Sequence, residues 1–157
     1  MHGASRCIGI IGNTVKKIPT IVIDTNVLVS ALRSRRGASF QLLDGLLDAR
    51  FVVALSVPLL MEYESVLLRE AMVPLNAAQV NDVLDMICAM AQFQDIHFLW
   101  RPQLRDPNDE MVLETAVNAD ADHLVTHNIR DFALAQKFRA KVVTPRTFLD
   151  DIEGTKR

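Results

Sequence analysis

The sequence lacks most of the features that announce a function directly. It has two cysteines, Cys7 and Cys88, with no metal-ligand spacing. No disulfide framework or thiolate site is written in it, and a reducing, cytoplasmic setting is the simplest reading. Its four histidines, His2, His97, His123 and His127, share no spacing suited to zinc. No apolar run reaches the length of a membrane span. The short apolar piece Cys7-Ile8-Gly9-Ile10-Ile11 lacks the long core and small-residue cleavage pattern of a secretory signal. No Gly-x-Gly-x-x-Gly or Walker loop follows the first strong strand, which argues against a nucleotide-cofactor fold. Glycine and proline are scarce, at six each, while 50% of the residues are hydrophobic. That composition excludes a disordered chain and supplies one full core. A net charge of −2 is not that of a dedicated duplex-DNA binder. It leaves room for a nucleic-acid site built on cation-binding carboxylates, because those acids lower the formal sum.

What the sequence does contain is an alternation of short apolar strands with amphipathic helices. Ile21-Val22-Ile23 is a β-branched run that reads as a buried strand and delivers Asp24 to its C-terminal end. A helix starts near Asn26. Another is expected over 39–48, with Phe40, Leu43 and Leu47 on one stripe backed by Leu42 and Leu46. Residues 51–55 read as a second strand, after which Ser56 caps a helix that carries Pro58, Glu62 and Glu64. Asn76 and Gln79 have capping-box spacing ahead of a helix with Val80, Val83, Leu84, Ile87, Cys88 and Ala91 at helical intervals. Residues 95–99 read as a third strand. Asp106-Pro107 opens a helix whose apolar face is Val112, Leu113, Ala116 and Val117. Strands follow at 123–126 and 142–144, separated by a short helix from 128 to 137, and Pro145 opens the last helix. This order predicts an α/β domain with a parallel sheet. The domain is expected over residues 19–152, with an N-terminal extension at 1–18 and a tail at 153–157.

Four acids fall just after strands or at helix starts: Asp24, Glu62, Asp109 and Asp131. In a parallel sheet these positions share the C-terminal edge, where ligands bind. Carboxylates gathered there repel one another, and a hard divalent cation with oxygen ligands relieves the repulsion. Each acid alone has a plainer reading. Asp24 caps the following helix, Glu62 is solvated like Glu64, Asp109 is a first-turn acid favoured by the helix dipole, and Asp131 caps a short helix. Asp106 reads first as a cap and second as an extra acid. The basic run Arg33-Ser34-Arg35-Arg36 is either a phosphate contact or a solvated loop. Arg101, Arg105 and Arg130 flank acidic positions. His127 is the one histidine near the proposed edge. Tyr63 and Trp100 are base-stacking candidates or core residues.

Taken together and in order, these motifs resemble the PIN-domain family. The resemblance lies in Ile21-Val22-Ile23-Asp24-Thr25-Asn26-Val27-Leu28, Ser56-x-x-Leu59-Leu60-x-Glu62-Tyr63, Asp106-Pro107-Asn108-Asp109-x-x-Val112-Leu113-x-x-Ala116, and Leu124-Val125-Thr126-x-Asn128-x-x-Asp131-Phe132. It extends to Val142-Val143-Thr144-Pro145-x-x-Phe148-Leu149. The chain looks most like the bacterial branch of toxin components similar to the VapC toxins. The resemblance implies a three-layer α/β/α sandwich with a mostly parallel sheet of four or five strands. It also implies a Mg²⁺- or Mn²⁺-dependent ribonuclease, a cognate antitoxin and a homodimer. Carried over by position, Asp24, Glu62 and Asp109 are the first three acids, with Asp24, Asp109 and Asp131 as metal ligands. The family often has Asp two residues after the Thr, where this chain has Asn128, so the fourth position falls to Asn128 or Asp131. Thr25, Asn26, Thr126 and Asn128 are then the groups that hold the acids, and Arg33, Arg35 and Arg36 the phosphate contacts. The extra apolar area for a dimer is expected on the helix of Val80 to Ala91 and on Tyr63, Val66 and Leu67. Two rivals remain: a PIN-type nuclease of RNA maturation, and a degenerate PIN fold acting as a binding module, which the Asn128 departure supports.

Overall fold

The computed structural model of the protein describes residues 8–11, 14–97 and 106–154. Cys7, Trp100, Arg101 and Arg105 lie outside the described residues. An antiparallel hairpin of β1 (Ile8–Ile11) and β2 (Thr14–Lys17) comes first. The main sheet is built from β3 (Thr20–Ile23), β4 (Val52–Leu55), β5 (Gln92–Phe93), β6 (His123–Val125) and β7 (Lys141–Val143). Its order is β5-β4-β3-β6-β7, and every neighbouring pair is parallel. Successive residues of a strand face opposite sides. Ile21 and Val22 are both 0% exposed, so both faces of the sheet are covered, which makes the architecture a three-layer α/β/α sandwich. The covering helices are α1 (Thr25–Arg33), α2 (Ala38–Gly45), α3 (Val57–Leu67), α4 (Ala77–Met90), α5 (Pro107–Asn118) and α6 (Pro145–Gly154). Helix α5 packs over β3, β4 and β6, and α4 over β4.

Local chemistry explains most boundaries. The Asn76–Gln79 capping box opens α4, with both reciprocal bonds formed. Asp106 accepts the Asn108 N–H at 2.9 Å and Pro107 takes the first position of α5. Ser56 accepts the Leu59 N–H at 3.3 Å and opens α3. Ser56 also lies 2.7 Å from the Thr115 hydroxyl in the core. Thr115 gives its own hydrogen to the Met111 carbonyl, so the Ser56 hydroxyl donates to Thr115 and ties α3 to α5. At the N-terminal end of the sheet, Asp122 joins β3 to β6. It accepts the Thr20 N–H at 2.8 Å and returns its own N–H to the Thr20 carbonyl at 2.8 Å.

Three expectations are corrected. The third strand is Gln92–Phe93 and not 95–99. Ala91 leaves α4 in an extended conformation, so pairing with Ala54 and Leu55 begins at once. It ends early because Ser56 already turns into α3. Residues 95–97 belong to no strand, and 98–99 are outside the described residues. The inner face of α2 is Ser39, Leu42 and Leu43, followed by Leu46, while Phe40 is half-buried and Leu47 is 59% exposed. The reason is that α2 tightens after Gly45 into a 3-10 turn (Leu46–Asp48), which carries Leu46 inward and Leu47 out. Tyr63, Val66 and Leu67 offer no free apolar surface; all three are buried in the core.

The link between α3 and α5 is open to a direct check. Ser56→Ala removes a cap and a buried hydrogen bond, and a loss of about 1–2 kcal/mol in unfolding free energy is expected. Urea unfolding would show this as a lower midpoint with an unchanged slope.

Candidate active site

From β3 the chain proceeds to β4 on one side of the sheet; from β6 it proceeds to β7 on the other. The crevice at the C-terminal ends of β3 and β6 is therefore the switch point of the fold, the place where open α/β sheets bind ligands. Asp24 and Thr126 are the first residues beyond these two strands. Register sets them side by side, because Ile23 pairs with Val125.

Asp24 is 3% exposed. Its N–H extends the ladder to the Val125 carbonyl at 2.9 Å. Its Oδ2 accepts the Thr126 hydroxyl at 2.7 Å, and Thr126 Oγ1 accepts the Asn128 N–H at 3.0 Å. Asp24 sits at the cap position of α1 but makes no side-chain cap bond of full geometry, and the hydrogen bond that anchors its carboxylate comes from Thr126, just beyond β6. Burial pushes this carboxyl above its ordinary range. The Thr126 bond, the backbone N–H groups of Thr25 and Asn26, and the charge of His127 pull the other way. Thr25 is buried and Asn26 exposed. Behind Asp24, the fully buried Tyr63 donates its hydroxyl to the Ile23 carbonyl and fixes the strand end. Burial and the nearby Asp24 charge keep that phenol protonated.

Asp109 stands half-buried in the first turn of α5. Its carboxyl is pushed up to about 7, first by burial and then by the charges of Asp24, Asp106, Asp131 and Glu110. The fold thus brings Asp24, Asp106, Asp109 and Asp131 into one electrostatic neighbourhood. Asp131 is exposed, and it is Asn128 that occupies the cap position of the following 3-10 stretch (Ile129–Lys137). Glu62 is half-buried on α3 and Glu64 exposed; Glu62 is not among the charges acting on Asp109. Arg33 is engaged elsewhere, donating to the Met72 carbonyl at 2.8 Å. Arg35 and Arg36 are exposed in the turn after α1.

Sequence reasoning passed over Glu110 and Glu114, which are each 2% exposed on α5. Their four-residue spacing was the available signal, on a helix packed over three strands and buried on more than its apolar face. It also left the role of His127 open. The His127 Nε2 lies 3.0 Å from the hydroxyl of Ser39, itself buried on α2.

Among the described residues, no three His, Cys, Asp or Glu side chains are grouped so that they could hold a metal ion together. The donor set nevertheless fits a hard cation. It is all oxygen, its members repel one another, and Mg²⁺ asks for only one or two direct carboxylates with waters completing its shell.

The raised Asp109 has a consequence for stability. Its carboxyl titrates at about 7 in the fold against 3.8 in the free chain, so the folded state binds this proton more tightly. Stability without metal should therefore fall as pH rises from about 4 through about 7, with Asp24 acting in the same direction. Melting temperatures in a chelator across this range should show the decline. Asp109→Asn should flatten it, and Mn²⁺ should restore stability at the alkaline end.

The sequence matches the family model described as PIN domain over residues 20–130. That span contains Asp24, Glu62, Asp106 and Asp109, and ends one residue before Asp131. Among solved structures, the fold is similar to a chain of VapBC2 from Rickettsia felis, crystallised bound to a DNA fragment from their promoter. The TM-score is 0.54 at 20% sequence identity, over 79% of this chain and 96% of that one. A search of curated proteins found no match. By the family match over most of its length, the chain belongs to the PIN-domain family.

Proposed function

We propose that the protein is a divalent-metal-dependent endoribonuclease and the toxin of a type II toxin–antitoxin pair. The observation that carries this reading is the gathering of Asp24, Asp109 and Asp131 near the switch point, with Asp109 pushed up to about 7 by burial and then by the charges of its neighbours. Mutually repelling carboxylates at a ligand-binding edge suit a cation and, beyond it, a phosphodiester. In this reading Asp24, Asp109 and Asp131 hold Mg²⁺ or Mn²⁺. Such a cation supplies the charge that acidifies a water and offsets the negative phosphoryl oxygens. Glu62 orients the attacking water, and Asp106 adds an acid at the rim while capping α5. Thr126 fixes the Asp24 carboxylate through its hydroxyl, as a ligand's supporting group does. Asn128 brings an oxygen without a charge. Arg35 and Arg36, with what Arg33 has to spare, meet backbone phosphates.

The toxin part is supported by family membership and by the likeness in fold to a chain of a VapBC2 complex. A cognate antitoxin, a homodimer and a cytoplasmic setting belong to the same proposal. Exposed Val57 and Met61 on α3 and Phe93 on the edge strand β5 are apolar area available to a partner. Among the described residues no helix is long and apolar enough to cross a membrane. The reading as a binding module rests on Asn128 standing where the family often has an acid.

Purified protein incubated with labelled single-stranded RNA and Mn²⁺ or Mg²⁺ should cut it, and a chelator or Asp24→Asn should stop the cutting. Thr126→Val should lower metal affinity or activity about 10–100-fold. RNA left intact by wild type with either metal contradicts the enzyme reading. Expressed alone in a bacterium, wild type should arrest growth and Asp24→Asn should not. Normal growth with an active, soluble enzyme favours RNA maturation over a toxin.

A further inference from the structure

A cavity of about 260 Å³ opens between the end of α1, the start of α2 and the start of α6, with His127 in its wall. Ser30, Ser34, Ser39, His127, Thr144 and Arg146 line it, and no acidic residue does. A pocket smaller than the roughly 300–1,000 Å³ of drug-sized sites suits a small group. An imidazole and a guanidinium are donors that meet phosphate oxygens.

Three observations connect the cavity to the acids. His127 follows Thr126, whose hydroxyl is bonded to Asp24. The His127 ring is held by Ser39, which is 4% exposed and 3.0 Å away; both residues line the cavity, and the charge of His127 also acts on Asp24. Arg146 is exposed at the rim, and among the described residues it has no carboxylate partner. It differs in this from Arg139, which is paired with Asp120 and Asp122, while Arg33 is held by the Met72 carbonyl. A guanidinium without a carboxylate partner and an imidazole anchored by Ser39 therefore face one small, otherwise mostly apolar space.

We propose that this cavity binds a backbone phosphate of the nucleic-acid strand next to the one cleaved, with His127 and Arg146 as its contacts and Ser39 as the residue that positions His127. The proposal rests on the nuclease reading and adds a subsite that fixes where the strand lies. It makes Arg146 a substrate-binding residue although it lies in α6, beyond the matched span of the family.

The test measures binding of a fluorescent single-stranded RNA in chelator, across a series of salt concentrations, for wild type and two variants. Arg146→Gln removes the cation. Gly37→Asp puts a carboxylate at the mouth with no steric cost, because a Cβ there meets nothing within 4 Å. Asp is also a favoured cap for α2, so this variant should melt no lower than wild type. Both variants should bind several-fold more weakly. Arg146→Gln should reduce the slope of log affinity against log salt by about 0.7, the value for one lost single-strand phosphate contact. Wild-type affinity and slope in both variants, with wild type binding and cutting RNA, would overturn the subsite and leave the nuclease reading intact. Wild type that neither binds nor cuts RNA would overturn both.

Discussion

The bond from the Thr126 hydroxyl to the Asp24 carboxylate is the contact on which the rest depends. A carboxylate 3% exposed at the end of an apolar strand is costly without compensation. Here the compensation comes from the neighbouring strand and is exact in register, since Ile23 pairs with Val125 and the next residue of each strand closes the contact. A slip of one position in β6 would turn Thr126 to the other face and leave Asp24 buried with one fewer partner. Asp122 guards the same register from the opposite end of the pair, through its two-way bonding with Thr20.

The second acid reaches the site by a different route. Asp109 rides on α5, and α5 is held by Pro107 and the Asp106 cap at its start and by the Ser56–Thr115 contact further along. Core packing over β3, β4 and β6 then fixes its angle to the sheet. The fold therefore spends stability to hold Asp109 in this half-buried place near Asp24, since burial and then the Asp24 charge disfavour its ionisation. Such a destabilised cluster is what a cation site looks like before the cation is present.

Much of this arrangement is legible in the sequence because local chemistry and tertiary fold agree. The β-branched run before Asp24, the Asn76–Gln79 box and the Asp106-Pro107 start all form as their residues demand. The parallel sheet follows from the alternation of strands and helices. The misses are places where tertiary context decides. The strand expected over 95–99 gives way to Gln92–Phe93, because β4 offers its last pairing positions just as α4 ends. The inner face of α2 is set by a switch from α to 3-10 winding that apolar spacing does not encode. Glu110 and Glu114 are buried on a helix enclosed from several sides, where a polar residue in the sequence reads as solvated. The β1–β2 hairpin has four-residue strands with no clear alternation to mark them. His127 gained its place only when the structure set Ser39, distant in sequence, against it.

The central claim is that Asp24 and Asp109 are brought together to share a divalent cation. Crystals soaked in Mn²⁺ and measured at a wavelength where manganese scatters anomalously test it most directly. The expected result is an anomalous peak within bonding distance of both carboxylates, lost in Asp24→Asn. Crystals that take up Mn²⁺ elsewhere, or show no peak between Asp24 and Asp109, would contradict the account.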